Sequence, residues 1–199
     1  MPSFPAPTVL QGHHVRLEPL ALHHVPALFQ AGGDDDEVWR WLSRPTPHSE
    51  DELRAIVSQH IEEVDAGKRL SFAVTSRDQD TAIGTTNLHS WNQPHDRVEI
   101  GGTWFGRRWW RTAANTETKL LTMTHAFETL GFTAVVWRID VGNIRSQEAI
   151  VRVGARLQAR LPAALVRHDG TPRDLLLYAM HQDDWAAAKA RLVDRLARG

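Results

Sequence analysis

Residues 99–131 read EIGGTWFGRRWWRTAANTETKLLTMTHAFETLG. The pattern predicts a strand over 98–105, a basic turn over 106–114 and a long helix over about 115–130. Leu120, Met123, Phe127 and Leu130 recur three to four residues apart, one apolar stripe of a helix. Arg107, Arg108 and Arg111 crowd the turn before it. A helix start carries unpaired backbone N–H groups and the positive end of the helix dipole. Guanidiniums added there make a cradle for a diphosphate. An ordinary strand–helix connection with solvated arginines accounts for the same residues equally well. Glu117 and Lys119 read as a surface pair on the helix, or as support behind a site.

Downstream, 132–140 is a strand with Val135, Trp137 and Ile139 on one face. Asn143 starts a short helix that Gly154 ends. A strand lies within 155–168, Asp169-Gly170 signals a hairpin, and the last strand is 173–180. Asp183 caps a final helix with Trp185, Leu192 and Leu196 inward. Upstream, 92–96 is a loop, and 70–76 and 82–91 form a hairpin. Ser49-x-x-Glu52 is a capping box opening a helix to residue 66. Asp34 to Glu37 lead into a helical turn carrying Trp39, Trp41 and Leu42. A first helix over about 24–31 stops at Gly32-Gly33, and a first strand lies within 8–18. Residues 1–7 hold three prolines and read as a flexible lead-in. The order β-α-α-β-β-β-α-β-α-β-β-α is a mixed α/β (α+β) chain, without the strict alternation of a doubly wound sheet.

The totals narrow the function. At 199 residues, 42% hydrophobic and 24% charged, a single domain over 1–199 with a real core is expected. A net charge of −1 gives no general attraction to nucleic acid or anionic lipid. No run approaches the ~18 apolar residues of a membrane span. The N-terminal MPSFPAPTVLQG lacks a basic region followed by an apolar run, so no secretory leader is expected. Cysteine is absent, which removes disulfides, thiolate metal sites and a cysteine nucleophile, and fits a reducing, cytoplasmic setting. The pairs His13-His14 and His23-His24 lack carboxylate company at useful spacing, and no metal is expected.

Four pieces in order carry a family resemblance: Glu99-Ile-Gly101, Trp109-Trp-Arg-Thr-Ala-Ala-Asn-Thr-Glu117, Asp140-x-x-Asn143-x-x-Ser146 and Val153-Gly154-Ala155. With them the chain resembles the GCN5-related N-acetyltransferases (GNAT), most closely the branch typified by the RimJ/RimL ribosomal-protein acetyltransferases. The resemblance implies a mostly antiparallel central sheet flanked by helices, and acetyl-CoA as cosubstrate. It places Trp104, Phe105, Arg107, Arg108, Arg111, Thr112, Ala113, Ala114, Asn115, Asn143 and Ser146 at that cosubstrate. The family's diphosphate turn usually reads Gln/Arg-x-x-Gly-x-Gly/Ala. Trp110, Ala113 and Asn115 stand there instead, so side chains of Arg111, Thr112 and Asn115 are expected to supplement backbone contacts. The family's frequent tyrosine near the end of the Asn143 helix is missing, and the chain's one tyrosine is Tyr178.

Acetyl transfer to an amine requires loss of an amine proton, stabilisation of a carbonyl oxygen turning tetrahedral, and a proton for the departing thiolate. Glu99 is the candidate general base, directly or through water, with Gly101-Gly102 inviting a bulge beside it. Ser146 is the candidate acid and Asn143 a cosubstrate contact, although both also serve as helix-capping residues. Trp39, Trp41, His89 and Trp91 are candidates for the acceptor side; His89 could share the base role or be structural. The acidic run 34–37 could attract a cationic amine or simply be solvated. The expected function is transfer of acetyl from acetyl-CoA to a primary amine, a protein N-terminus or a small molecule, by direct attack in a ternary complex. A catalytically silent CoA-binding module of the same fold is the alternative. Exposed edge strands suggest a homodimer.

Overall fold

Where one strand is expected near the N-terminus, two form: β1 (Leu10–Gln11) and β2 (Val15–Pro19), antiparallel with Leu10 opposite Leu17. Gly12 N–H donates to the Val15 carbonyl at 2.9 Å and closes the turn. The computed structural model describes residues 8–91, 96–166 and 170–198. The expected lead-in over 1–7, most of the 92–96 loop and Asp169 of the hairpin signal lie outside them.

The first helix is a 3-10 turn at Leu22–His24, α1 (Val25–Leu28) and a wider turn at Phe29–Gly33. Asp35 caps α2 (Asp36–Trp39), its carboxylate accepting from Glu37 N–H at 3.1 Å. In α3 (Glu50–Asp65), Ser49 Oγ accepts from Glu52 N–H at 3.2 Å. The return arm of this capping box reaches one residue further back, to His48 N–H at 2.8 Å. Then come β3 (Arg69–Ser76), β4 (Thr81–His89), β5 (Arg97–Phe105), α4 (Ala113–Thr124), β6 (Ala134–Asp140), α5 (Ile144–Val153), β7 (Arg156–Val166), β8 (Pro172–His181) and α6 (Gln182–Arg198). Helix α4 starts two residues earlier than expected because Thr112 caps it, and it runs on as a wider turn at His125–Thr129. Asn143 caps α5, and Gly154 ends it at φ 107°, in the left-handed region glycine tolerates.

The eight strands form one sheet in the order β1-β2-β3-β4-β5-β6-β8-β7. Every pairing is antiparallel except β5 with β6, which is parallel. Alternation along β3 divides the core. Phe72 and Val74 belong to a cluster with Met123, Phe127, Trp137 and Trp185, under α4–α6. Ala73 faces Val25, Leu28, Trp39, Leu53 and Val57, under α1–α3. The expected stripe on α4 holds at Met123 and Phe127, both buried. The surface reading of Glu117 and Lys119 does not: they are 4% and 7% exposed, because α4 also packs against the β1–β2 turn and against the interior beside β5.

Candidate active site

Strands β5 and β6 pair only from Arg97 opposite Ala134 to Glu99 opposite Val136. Past that point they diverge. A bulge accompanies the split: Thr85 faces Trp104 and Asn87 faces Gly101, so Thr86 alone opposes two residues of β5. The extra residue bends its strand. Gly102 sits in the bulge at φ 56°, and a Cβ there would meet Asn87 Nδ2 at 2.7 Å. Asn87 Nδ2 in turn donates to the carbonyls of Gly101 and Gly102 at 3.2 and 3.3 Å. The bulge expected at Gly101-Gly102 is therefore present, locked by a side chain of β4.

The divergence opens two connected spaces. An inner cavity of about 140 Å³ lies between Ile100–Phe105 on one arm and Trp137–Asp140 on the other. It continues into a groove of about 730 Å³ bounded by the start of α4 and by α5 and α6, well inside the ~300–1,000 Å³ range of ligand pockets. Trp104, Phe105, Trp110, Lys119, Asn143, Arg145 and Ser146 line both. Thr112 Oγ1 donates to the Trp109 carbonyl at 2.8 Å and accepts from Ala114 N–H at 3.3 Å, ordering the first turn of α4. Arg111 holds φ 62°, an uncommon conformation for a residue with a Cβ, and its turn delivers the chain into the helix.

The groove is cationic. Among the described residues Arg111, Arg145, Arg191 and Arg195 line it without an ion pair, and Arg152 lines it while reaching Glu148 at 3.4 Å. The Arg145 guanidinium stacks 3.5 Å above the Trp110 ring, a cation–π contact that fixes its plane. Burial lowers its pKa, with Glu37 opposing and Arg111 reinforcing that shift. The Lys119 side chain is 7% exposed and lines the groove, its ammonium has no partner among the described residues, and burial pulls its pKa down from 10.5 to about 8. An unpaired buried cation is costly unless something anionic or strongly accepting is brought to it.

Lys119→Met is accordingly expected to stabilise the ligand-free protein at pH 7, by up to about 3 kcal/mol. The sign follows from the depressed pKa: between about pH 8 and 10.5 the unfolded chain holds a proton that folded Lys119 has released. Stability from this group rises across that window. Urea unfolding of both proteins at pH 7 and 10 checks this; an equal gap at the two pH values would rule it out.

Seven of the eleven residues assigned to the cosubstrate gather here: Trp104, Phe105, Arg111, Thr112, Asn115, Asn143 and Ser146 all line the groove. Asn143 Oδ1 accepts from Ser146 N–H at 3.2 Å, so the capping role and the groove position coincide. Ala113 and Ala114 form the first turn of α4, Ala114 within the core. Arg107 and Arg108 stand apart from this group. Their 3-10 turn points Arg107 Nε at Asp35 Oδ2, 2.5 Å away, and Arg108 at Gln79, and neither lines the groove. Sequence reasoning misses Arg145, Arg152, Arg191 and Arg195, and has Lys119 only as a surface residue or support behind a site. The spacing of 145, 149 and 152 on one face of α5, and of 191 and 195 on α6, is the available signal.

Glu99 lies beneath the split, 6% exposed, and lines neither space. Arg138 Nη2 and Nε reach its Oε2 at 2.6 and 2.7 Å. Its other oxygen and His89 share the space over Gly101: a Cβ there would meet His89 Nε2 at 2.6 Å and Glu99 Oε1 at 3.5 Å. The His89 ring, with Nδ1 2.8 Å from Ser90 Oγ, opens instead onto a separate cavity of about 190 Å³ across β5. Burial lowers its pKa, the Glu99 charge opposes the shift, and Arg69 and Arg138 add to it. Trp39 lines the same cavity and packs against Trp104 with ring centroids 5.5 Å apart. Trp41 faces the inner cavity. Trp91 packs against the core and lines none of these spaces. Two residues of the acidic run are engaged locally: Asp35 with α2 and Arg107, Glu37 with Arg40 at 3.4 Å.

A parallel pair that splits beside a capped helix, with cations along the opening, belongs to the enzymes that transfer acyl groups from acyl-CoA. The acetyltransferase (GNAT) domain matches residues 14–156, and the chain belongs to that family. Similar solved structures agree. A candidate acetyltransferase from T. thermophilus is 34% identical over 97% of this chain and 99% of its own, with TM-score 0.87. A GCN5-related N-acetyltransferase from Brucella melitensis is 26% identical over 96% and 86%, with TM-score 0.89. RimJ of Mycobacterium smegmatis, in complex with CoA-disulfide, is 19% identical over 95% of both chains, with TM-score 0.83, a likeness of fold. No curated protein matches the chain. The expected mixed sheet flanked by helices is borne out, and the chain is an acyl-CoA-dependent acetyltransferase by class. Among the described residues no helix is long and apolar enough to cross a membrane, and no group of three or more metal-ligating side chains gathers.

Proposed function

We propose that the protein transfers the acetyl group of acetyl-CoA to a primary amine by direct attack in a ternary complex, as a RimJ/RimL-like enzyme of one domain. The observation that carries this is the split between β5 and β6, which leads from a cation-lined groove to the acceptor side. The residues fit coenzyme A. The first-turn amides of α4 with Arg111, Arg145, Arg191 and Arg195 would hold its phosphates. The orphaned Lys119 ammonium in the narrow part of the groove awaits an acceptor oxygen of the pantetheine arm. Bound there, the cosubstrate supplies the activated acetyl carbon and a thiolate leaving group.

The chain's own residues do the rest. Asn143 and Ser146 line both the groove and the inner cavity, and in this reading the Ser146 hydroxyl gives a proton to the leaving sulfur. Glu99, steadied by Arg138, draws the amine proton through the His89 ring or a water. The chain has no cysteine to carry an acyl-enzyme, which favours direct transfer. A homodimer through the β7 edge, which exposes Leu157 and Val166, remains part of the proposal; light scattering tests it.

Thiol release from acetyl-CoA in the presence of a panel of amines is the direct test. A rise in Tm with CoA but no thiol from any amine would leave only a binding module. Arg111→Ala and Arg145→Ala are each expected to weaken CoA by about 1.5–3 kcal/mol. Calorimetry showing unchanged affinity would remove that arginine from the site.

A further inference from the structure

We propose that the cavity across β5 selects an acceptor amine carrying a carboxylate next to an apolar side chain, an α-amino acid or a compound of that shape. This inference rests on the acetyltransferase reading above. The cavity has an apolar end, made by Leu20, Leu28, Leu53 and Val57 beneath α1 and α3. Its opposite end is basic: Arg44 and Arg69 line it, and among the described residues no Asp or Glu does. Arg69 is held from behind by Glu63 at 2.6 Å, whereas Arg44 donates only to the neutral Gln59 amide at 2.7 Å. One positive charge is therefore left in excess. The field is felt at His60 in the same wall, whose pKa falls to about 3 through burial and then through repulsion by Arg69 and Arg44.

Size and connection narrow the choice. At about 190 Å³ the cavity is smaller than the ~300 Å³ at which drug-sized pockets begin. Its wall includes Leu42, Gly102 and Trp104, which also line the inner cavity, so the two cavities abut at the β5 bulge, beside the point where β5 and β6 part. His89, on that wall, faces the amine. A polycation is disfavoured by the same charges, and no residue of the acidic run 34–37 lines this cavity, Asp35 and Glu37 being paired with Arg107 and Arg40. In the reaction a C–N bond forms between the amine and the acetyl carbon and the C–S bond breaks. The amine loses one proton and the sulfur gains one.

The test compares kcat/KM for leucine, leucinamide, a leucine-initiated tetrapeptide and spermidine at saturating acetyl-CoA. Leucine is expected to exceed each of the others about 10–100-fold. Arg44→Ala should collapse the preference of leucine over leucinamide, and Arg44→Lys should keep part of it. Arg69→Ala should act likewise; if it does not fold, the Arg44 pair of variants decides. Leucinamide, the peptide or spermidine matching leucine would overturn the inference while leaving the acetyltransferase reading intact, as would a preference untouched in Arg44→Ala. No thiol from any amine, with no Tm shift by CoA, would remove the acetyltransferase reading and this inference with it.

Discussion

Glu117→Ala is expected to cost about 3–5 kcal/mol of folding stability. The Glu117 carboxylate is 4% exposed and accepts three backbone N–H bonds, from His13, His14 and Val15, at 2.7, 2.6 and 2.7 Å. Each unmet buried donor costs about 1–3 kcal/mol, reduced where water can enter the turn. Gly12 is part of the same fit, since a Cβ there would meet the carboxylate at 2.6 Å. Glu117→Gln should be milder, because one amide oxygen can accept only part of the set. Urea unfolding with an unchanged m value checks both variants. A loss below about 1 kcal/mol in Glu117→Ala would mean that the turn is satisfied without the carboxylate. The contact matters beyond stability, because it fixes α4 against the β1–β2 turn, and α4 presents its first turn to the groove.

The same contact shows where sequence reading stops. Periodicity and caps are local, so the signals at Asn143, Gly154 and Ser49 transfer directly to helix ends, whereas the Thr112 cap goes unread and α4 starts two residues early. Alternation marks the strands, and a glycine pair marks the bulge. Glu117 meets partners more than 100 residues away, which no window on α4 contains. Lys119 sits one helical turn from Asn115, and a charged residue on a helix is read as solvated unless the fold buries it. Arg107 and Arg108 are close in sequence to the helix start, yet a 3-10 turn aims them at Asp35 and Gln79. Arg145 and Arg191 are distant in sequence, and two other helices bring them in. Proximity along the chain therefore finds the turn that borders the groove but not the cations that line its far side. The cavity across β5 is harder still, since its walls come from α1, α2, the 42–44 segment, α3, β3, β4 and β5.

Glu99→Gln is expected to lower kcat by about 10²–10⁴-fold, the usual contribution of a positioned acid or base, while CoA affinity stays within a factor of two or so. The carboxylate touches no wall of the groove, which is why binding should be spared. Two routes from Glu99 to the amine differ in what pH does. If His89 relays the proton, the neutral imidazole is the working form, and its pKa already lies below the ordinary histidine value. The Glu99 charge opposes that lowering, so Glu99→Gln should let the His89 pKa fall further. The acidic limb of the kcat profile would then move to lower pH in the variant, even as the plateau drops. If water alone carries the proton from Glu99, the variant's profile should show no limb that follows the His89 imidazole. His89→Ala separates the cases: a fall close to that of Glu99→Gln, with no further loss in the double variant, places both on one path. Full activity in Glu99→Gln would require another base, and the Arg138–Glu99 pair would then serve to hold β5 and β6 together at the point where they part.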